Sequence, residues 1–107
     1  MTAARIAELN DRARTTLKDC RLVITQGIAE LDDLDAIIAR VQAYDAFTPD
    51  NDPYQEHDFG SFEYGKDREL IFWKIDCYDS DMLGASPDTS DPAITARVLT
   101  IMLAEEY

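Results

Sequence analysis

The stretch FGSFEYGKDRELIFWKIDCY, residues 59–78, carries the clearest structural signal in the chain. Gly65-Lys66-Asp67-Arg68 is a run of turn formers between two β-rich segments, which predicts a hairpin with arms Phe59–Tyr64 and Glu69–Tyr78. In the second arm Ile71, Trp73, Ile75 and Cys77 alternate with Leu70, Phe72, Lys74 and Asp76. Successive side chains of a strand point to opposite faces, so the first set forms an apolar face that packs on helices.

Helical periods flank the hairpin on either side. Upstream, Ile6, Leu9, Ala13 and Leu17 recur at intervals of three and four, predicting an amphipathic helix from Thr2 to about Lys18. Arg21–Gln26 is short and β-rich and is followed by Gly27, which reads as a strand and a break. Leu34, Ile37, Ile38, Val41 and Tyr44 then predict a second helix near residues 33–46, with Asp32 and Asp33 at its positive end. Downstream, Asp91-Pro92 reads as a cap and first helical residue. Ile94, Val98, Ile101 and Met102, flanked by Leu99 and Leu103, predict a third helix. The expected fold is a single α+β domain over residues 1–107, in the order α-β-α-β-β-α. It has a small three-stranded, mainly antiparallel sheet and three helices chiefly on one side.

The bulk composition narrows the function classes. With 107 residues, 46% of them hydrophobic and 30% charged, the chain has room for one modest core and lies outside the disordered range. The start of the chain carries charges every few residues and no apolar run approaches a bilayer's width, so a cytoplasmic location is expected. Cys20 and Cys77 lack the close spacing of zinc or redox motifs and sit beside apolar neighbours, as buried free thiols do. A Cys20–Cys77 bridge remains geometrically open, against the expectation for a reducing compartment. The formal net charge of −12 argues against direct binding to nucleic acid or to anionic membrane. Any partner should be basic.

The segment DAFTPDNDPYQEHDFG, residues 45–60, together with FWKID at 72–76 and VLTIMLAEEY at 98–107, resembles a bacterial family known as domain of unknown function 3768. The likeness covers nearly everything after Leu9. It implies no catalytic or binding residues, because no activity is established for that family.

The distribution of acids carries the functional reading. Six acids and no lysine or arginine fall between Val41 and Gly65, and five acids and again no base fall between Ile75 and Ala96. Both windows hold a long polar loop flanking the hairpin. If those loops share one end of the sheet, they make a continuous negative field able to occupy lysine and arginine sites that otherwise hold phosphates. The expected function is therefore a small acidic inhibitor that mimics nucleic acid. It would block a basic nucleic-acid-binding protein, such as a CRISPR effector subunit or a nuclease, as anti-CRISPR and anti-restriction proteins of phages and plasmids do. Asp50, Asp52, Tyr54, Glu56, Asp58, Glu63, Asp76, Asp79 and Asp81 are the expected contact residues, with Tyr54 the best exposed aromatic anchor. Phe59 and Phe62 read as core. The chain is expected to act as a monomer or homodimer, without a cofactor and not as an enzyme.

Three alternatives stand beside this. The acidity is also what a halo-adapted or merely solvated housekeeping domain displays, with only Lys18, Lys66 and Lys74 as lysines. Asp50, Asp52, His57 and Asp58, with Asp76, Asp79 or Asp81, could hold a divalent metal or serve a hydrolase. The Asp50-Asn51-Asp52 start of a calcium loop, however, is followed by Gln55 and Ser61 where that loop needs glycine and glutamate. Leu70 and Phe72 could instead meet another chain, unless the first helix covers them.

Overall fold

A computed structural model describes residues 3–107. In chain order the elements are α1 (Ala3–Thr16), β1 (Cys20–Ile24), α2 (Gln26–Glu30), α3 (Leu34–Gln42), β2 (Phe59–Tyr64), β3 (Glu69–Asp79) and β4 (Thr95–Leu103). Short 3-10 turns occupy Pro92–Ile94 and Ala104–Glu106. The hairpin forms as its pattern predicts, with Phe59 opposite Lys74, Tyr64 opposite Glu69, and Gly65 at φ 79° in the turn.

The α+β class holds, but the expected three-stranded sheet and third helix do not. There are four strands in the order β1-β4-β3-β2, with β1 parallel to β4 and the other pairs antiparallel. The segment expected as the third helix is β4, and it lies inside the sheet. Asp91 does cap as expected, its Oδ1 accepting from the Ala93 N–H at 2.9 Å with Pro92 next, yet the cap opens one 3-10 turn. Beyond it the β-branched Thr95, Val98, Thr100 and Ile101 favour a pleated backbone. A strand paired on both sides is buried on both faces: Leu99 and Ile101 on one, Val98 and Met102 on the other. An apolar run of that kind satisfies a helical period by accident. A second departure is the predicted break at Gly27, which lies in the helical turn α2. The predicted first helix ends two residues early at Thr16, and Leu17 adopts φ 58° just beyond it; its expected start at Thr2 lies outside the described residues.

The core lies between one sheet face and the helices. Ile28 of α2, Ile37 and Val41 of α3, Ile71, Trp73 and Ile75 of β3, and Leu99 and Ile101 of β4 form its buried cluster. Helix α1 adds Ile6, Leu9 and Ala13. The opposite face, with Leu70, Phe72, Lys74 and Asp76, is not covered by α1. There Tyr107 stands edge-on to Phe59 and Phe72, with ring centroids 6.1 and 5.7 Å away, so Phe59 belongs to this outer face and not to the core. Phe62 packs against the core as expected.

Cys20 and Cys77 both pair in register with Arg97, one from β1 and one from β3. Adjacent strands are about 4.8 Å apart, so two thiol-bearing strands separated by β4 stand roughly 9.6 Å apart. A disulfide needs Cα atoms within about 7 Å. Both cysteines are free, and burial is the main cause that pushes each thiol above its ordinary pKa.

Candidate functional site

Topology brings the two base-free loops together. Residues 43–58 lead into β2, and residues 80–94 run from the end of β3 to the start of β4. Because β3 runs antiparallel to both β2 and β4, these three strand ends share one end of the sheet.

A buried polar chain ties the loops. Arg97, near the start of β4 on its inward face, donates from Nε to Asn10 Oδ1 at 2.8 Å and from its NH2 group to the Thr89 carbonyl at 2.6 Å. Asn10 in turn donates from Nδ2 to the Glu56 carbonyl at 2.9 Å. Asn10 is 1% exposed and Arg97 5%, so each would be costly to bury without these partners. The second arginine at this end, Arg14, is also internal. Its Nε donates to the Val41 carbonyl at 3.3 Å, and its guanidinium lies 5.0 Å from the Trp73 ring centroid and 5.5 Å from that of Phe47. Burial pulls its pKa below the ordinary arginine value, while Asp11, Tyr44 and Asp45 oppose that shift. Both arginines spend their charge inward, away from the exposed acids of this end, Asp50 and Asp81.

The expected contact residues divide by environment. Asp50, Tyr54 and Asp81 are exposed, Tyr54 at 79%. Asp79 is half-buried and accepts from the Leu83 N–H at 3.0 Å, holding its own turn. Asp76 pairs with Lys74 at 2.7 Å on the outer face. Glu63 lies toward the hairpin turn, at the opposite end of the sheet, and pairs with Arg68 at 2.9 Å, so it does not belong with the others.

Glu56 and Asp58 are half-buried. Burial, then Asp58 and Asp52, pushes the Glu56 carboxyl above the ordinary range. Burial likewise raises Asp58, aided by Asp52 and Asp76 and opposed by its own backbone N–H and by His57. A carboxyl raised in the folded state contributes fully below its unfolded value, and that contribution is lost as pH rises through the folded one. Asp58→Asn is accordingly expected to raise the thermal midpoint at pH 7 and to flatten the decline of stability with rising pH above the ordinary aspartate range. Thermal melts from pH 4 to 8 check this, and an unchanged slope contradicts it.

His57 is built into a network that sequence spacing does not reveal. Its Nδ1 lies 3.0 Å from both carboxylate oxygens of Asp11, 46 residues upstream, and its Nε2 lies 3.5 Å from Asp52 Oδ2. Its ring stacks on Phe47 at 3.9 Å, with planes 1° apart. The backbone at His57 and Gln55 takes φ of 56° and 58°, a left-handed conformation that non-glycine residues adopt at a cost. Arg14 reaches Asp11 Oδ1 at 3.3 Å, extending the row that runs from Asp11 through His57 to Asp52. Beside the row, α1 and the 43–58 loop enclose a cleft of about 600 Å³, lined among others by Glu8, Asp11, Phe47, Asp52 and His57. Asp11, Arg14 and Phe47 give no sequence signal for this arrangement beyond α1's period, which places Asn10 and Arg14 one turn apart on its inner face.

Asp50, Asp52, His57 and Asp58 are not gathered around a common point. Among the described residues no three His, Cys, Asp or Glu side chains are placed to hold a metal ion. No described helix is long and apolar enough to cross a membrane.

The model of the family described as protein of unknown function (DUF3768) matches residues 24–106. The chain belongs to this family. No curated protein and no solved structure matches it. The DUF3768 match begins at the last residue of β1. It therefore contains His57, Asp52 and Arg97, while their partners on α1, Asp11 and Asn10, lie outside it.

Proposed function

We propose that this DUF3768 chain is an acidic interaction protein that docks the loop end of its sheet onto a basic nucleic-acid-binding protein and competes with nucleic acid there. The observation that supports this most is the joining of the two base-free loops at one end of the sheet through Asn10 and Arg97. An acidic end tied by these hydrogen bonds needs less reordering on binding, and its field steers a basic surface toward it. Tyr54, with its large exposed ring, supplies the desolvated anchor that charges alone do not. An inhibitor of a CRISPR effector or a restriction nuclease is the concrete form of this reading.

The test is capture on immobilised protein from cells carrying such systems, followed by a displacement assay in which each captured protein is bound to labelled DNA or RNA. The expected result is release of nucleic acid by the wild-type chain, weakening as salt rises. Changing Asp50, Asp79 and Asp81 together to Asn should slow association at least about tenfold at low salt. Capture of nothing, or of proteins that keep their nucleic acid, sinks the proposal and leaves the charge as surface solvation.

A further inference from the structure

The cleft between α1 and the 43–58 loop has one acceptor that the fold leaves unused. Asp52 is 7% exposed, lines the cleft, and accepts through Oδ1 from the His57 backbone N–H at 3.3 Å. Its Oδ2 accepts no hydrogen bond among the described residues; His57 Nε2 lies 3.5 Å from it. A carboxylate offers about four lone-pair sites, so this oxygen on the cleft lining has sites free for a donor that enters the cleft. Asp11 is in the opposite condition, with Arg14 and His57 both upon it.

The surroundings of that free oxygen define what would complete it. Glu8 and Asp11 add negative charge, Ala4 and Ala7 give an apolar wall on the α1 side, and no lysine or arginine lines the cleft. The volume, about 600 Å³, exceeds what a single water requires and accommodates a long side chain. A planar cation with parallel N–H groups on an aliphatic stem matches a buried carboxylate beside an apolar wall better than a point charge does. The protein's own Arg14 already packs in this way, against the Phe47 and Trp73 rings on the inner side of the cluster.

We infer that the cleft is the seat of an arginine side chain from the basic partner, its guanidinium paired with Asp52 Oδ2 and its stem along Ala4 and Ala7. This rests on the proposed docking function and gives it a specific contact. The acidic loop end sets the approach, and the cleft sets which residue enters.

The probe is N-acetyl-arginine amide, titrated into labelled protein while the ring resonances of His57 and Phe47 are followed, with the lysine and citrulline amides as comparisons. Saturable shifts are expected with arginine, weaker ones with lysine and none with citrulline, which has the same shape without the charge. Asp52→Asn should raise the dissociation constant about tenfold or more. Because Asp52 also holds the loop, Ala4→Phe provides a second variant, blocking the cleft from an exposed helix position with every carboxylate intact. It should abolish the shifts. Equal shifts with citrulline, equal shifts with lysine, or none at all overturn the assignment. If the arginine probe fails while the wild-type chain still displaces nucleic acid, the cleft is wrong and the docking function stands. If the probe binds but no displacement occurs, the docking function is wrong, and with it the partner as the arginine's source.

Discussion

Arg97→Met is expected to lower the stability of the fold by about 3 kcal/mol, close to 15 °C in thermal midpoint for a domain of this size. The methionine keeps most of the apolar volume, so the loss lies in the hydrogen bonds. Asn10 Oδ1 and the Thr89 carbonyl both lose a charged donor in a buried setting. Hydrogen bonds to a charged group are worth about 1.5–3 kcal/mol each, and relief from burying the guanidinium offsets part of that. The local consequence is more telling than the melt. With Arg97 gone, residues 80–94 lose their tie to α1, and amide exchange there should rise far more than in the β2–β3 hairpin. Arg97→Lys keeps the charge without the fork and should fall between. A midpoint within 3 °C of wild type would show that the bridge does not hold the loop end together.

Gly60→Ala is the second large effect, expected at about 2–3 kcal/mol, and it acts by overpacking. Gly60 faces Trp73 across the hairpin, where an added Cβ would lie 2.4 Å from the indole Nε1 and 2.7 Å from Cε2. The ring cannot step aside: it is fully buried, with Tyr44 at 5.4 Å, Phe47 at 6.1 Å and the Arg14 guanidinium at 5.0 Å. The indole N–H has no hydrogen-bond partner among the described residues, so this close seat already carries an unmet donor. Trp73 is the sole tryptophan, and its emission should therefore report the strain directly. Trp73→Phe should cost markedly less in the Gly60→Ala background than in the wild type, a coupling that a denaturant double-mutant cycle measures. Additive costs would mean that the two residues do not press on each other.

These two residues also mark what was legible in the chain and what was not. The hairpin could be read because its second arm has one buried face and one polar-edged face, which leaves a period of two in the letters. The strand β4 could not, because burial on both faces erases that period, and Ile94, Val98, Ile101 and Met102 then imitate a helix. Placing it as a helix removed the central strand, and the parallel pairing of β1 with it. The acidic loops were legible as composition, and their meeting at one end follows once the strand directions are known. The His57 network was not legible. Its parts, Asp11, Phe47, Asp52 and His57, come from a helix and a loop far apart in sequence, and only the docking of α1 brings them into contact. Arg97 carried no signal of its role, since nothing local distinguishes an arginine that enters the core from one that leaves it.

The position of β4 has a consequence for how the molecule is made. Its partner β1 pairs from Cys20 with Arg97 to Ile24 with Ile101, while β3 pairs along its other side down to Ile71 with Leu103. The strand β4, translated after β1, β2 and β3, is thus the one that joins them. Until residue 103 has cleared the ribosome, a nascent chain holds a hairpin with an unpaired edge on β3 and an orphaned β1, with Trp73 and Ile71 lacking their sheet neighbour. Such distant pairings form slowly, and open edges invite other chains. The interval between synthesis of the hairpin and arrival of β4 is when the chain is most exposed to misassembly.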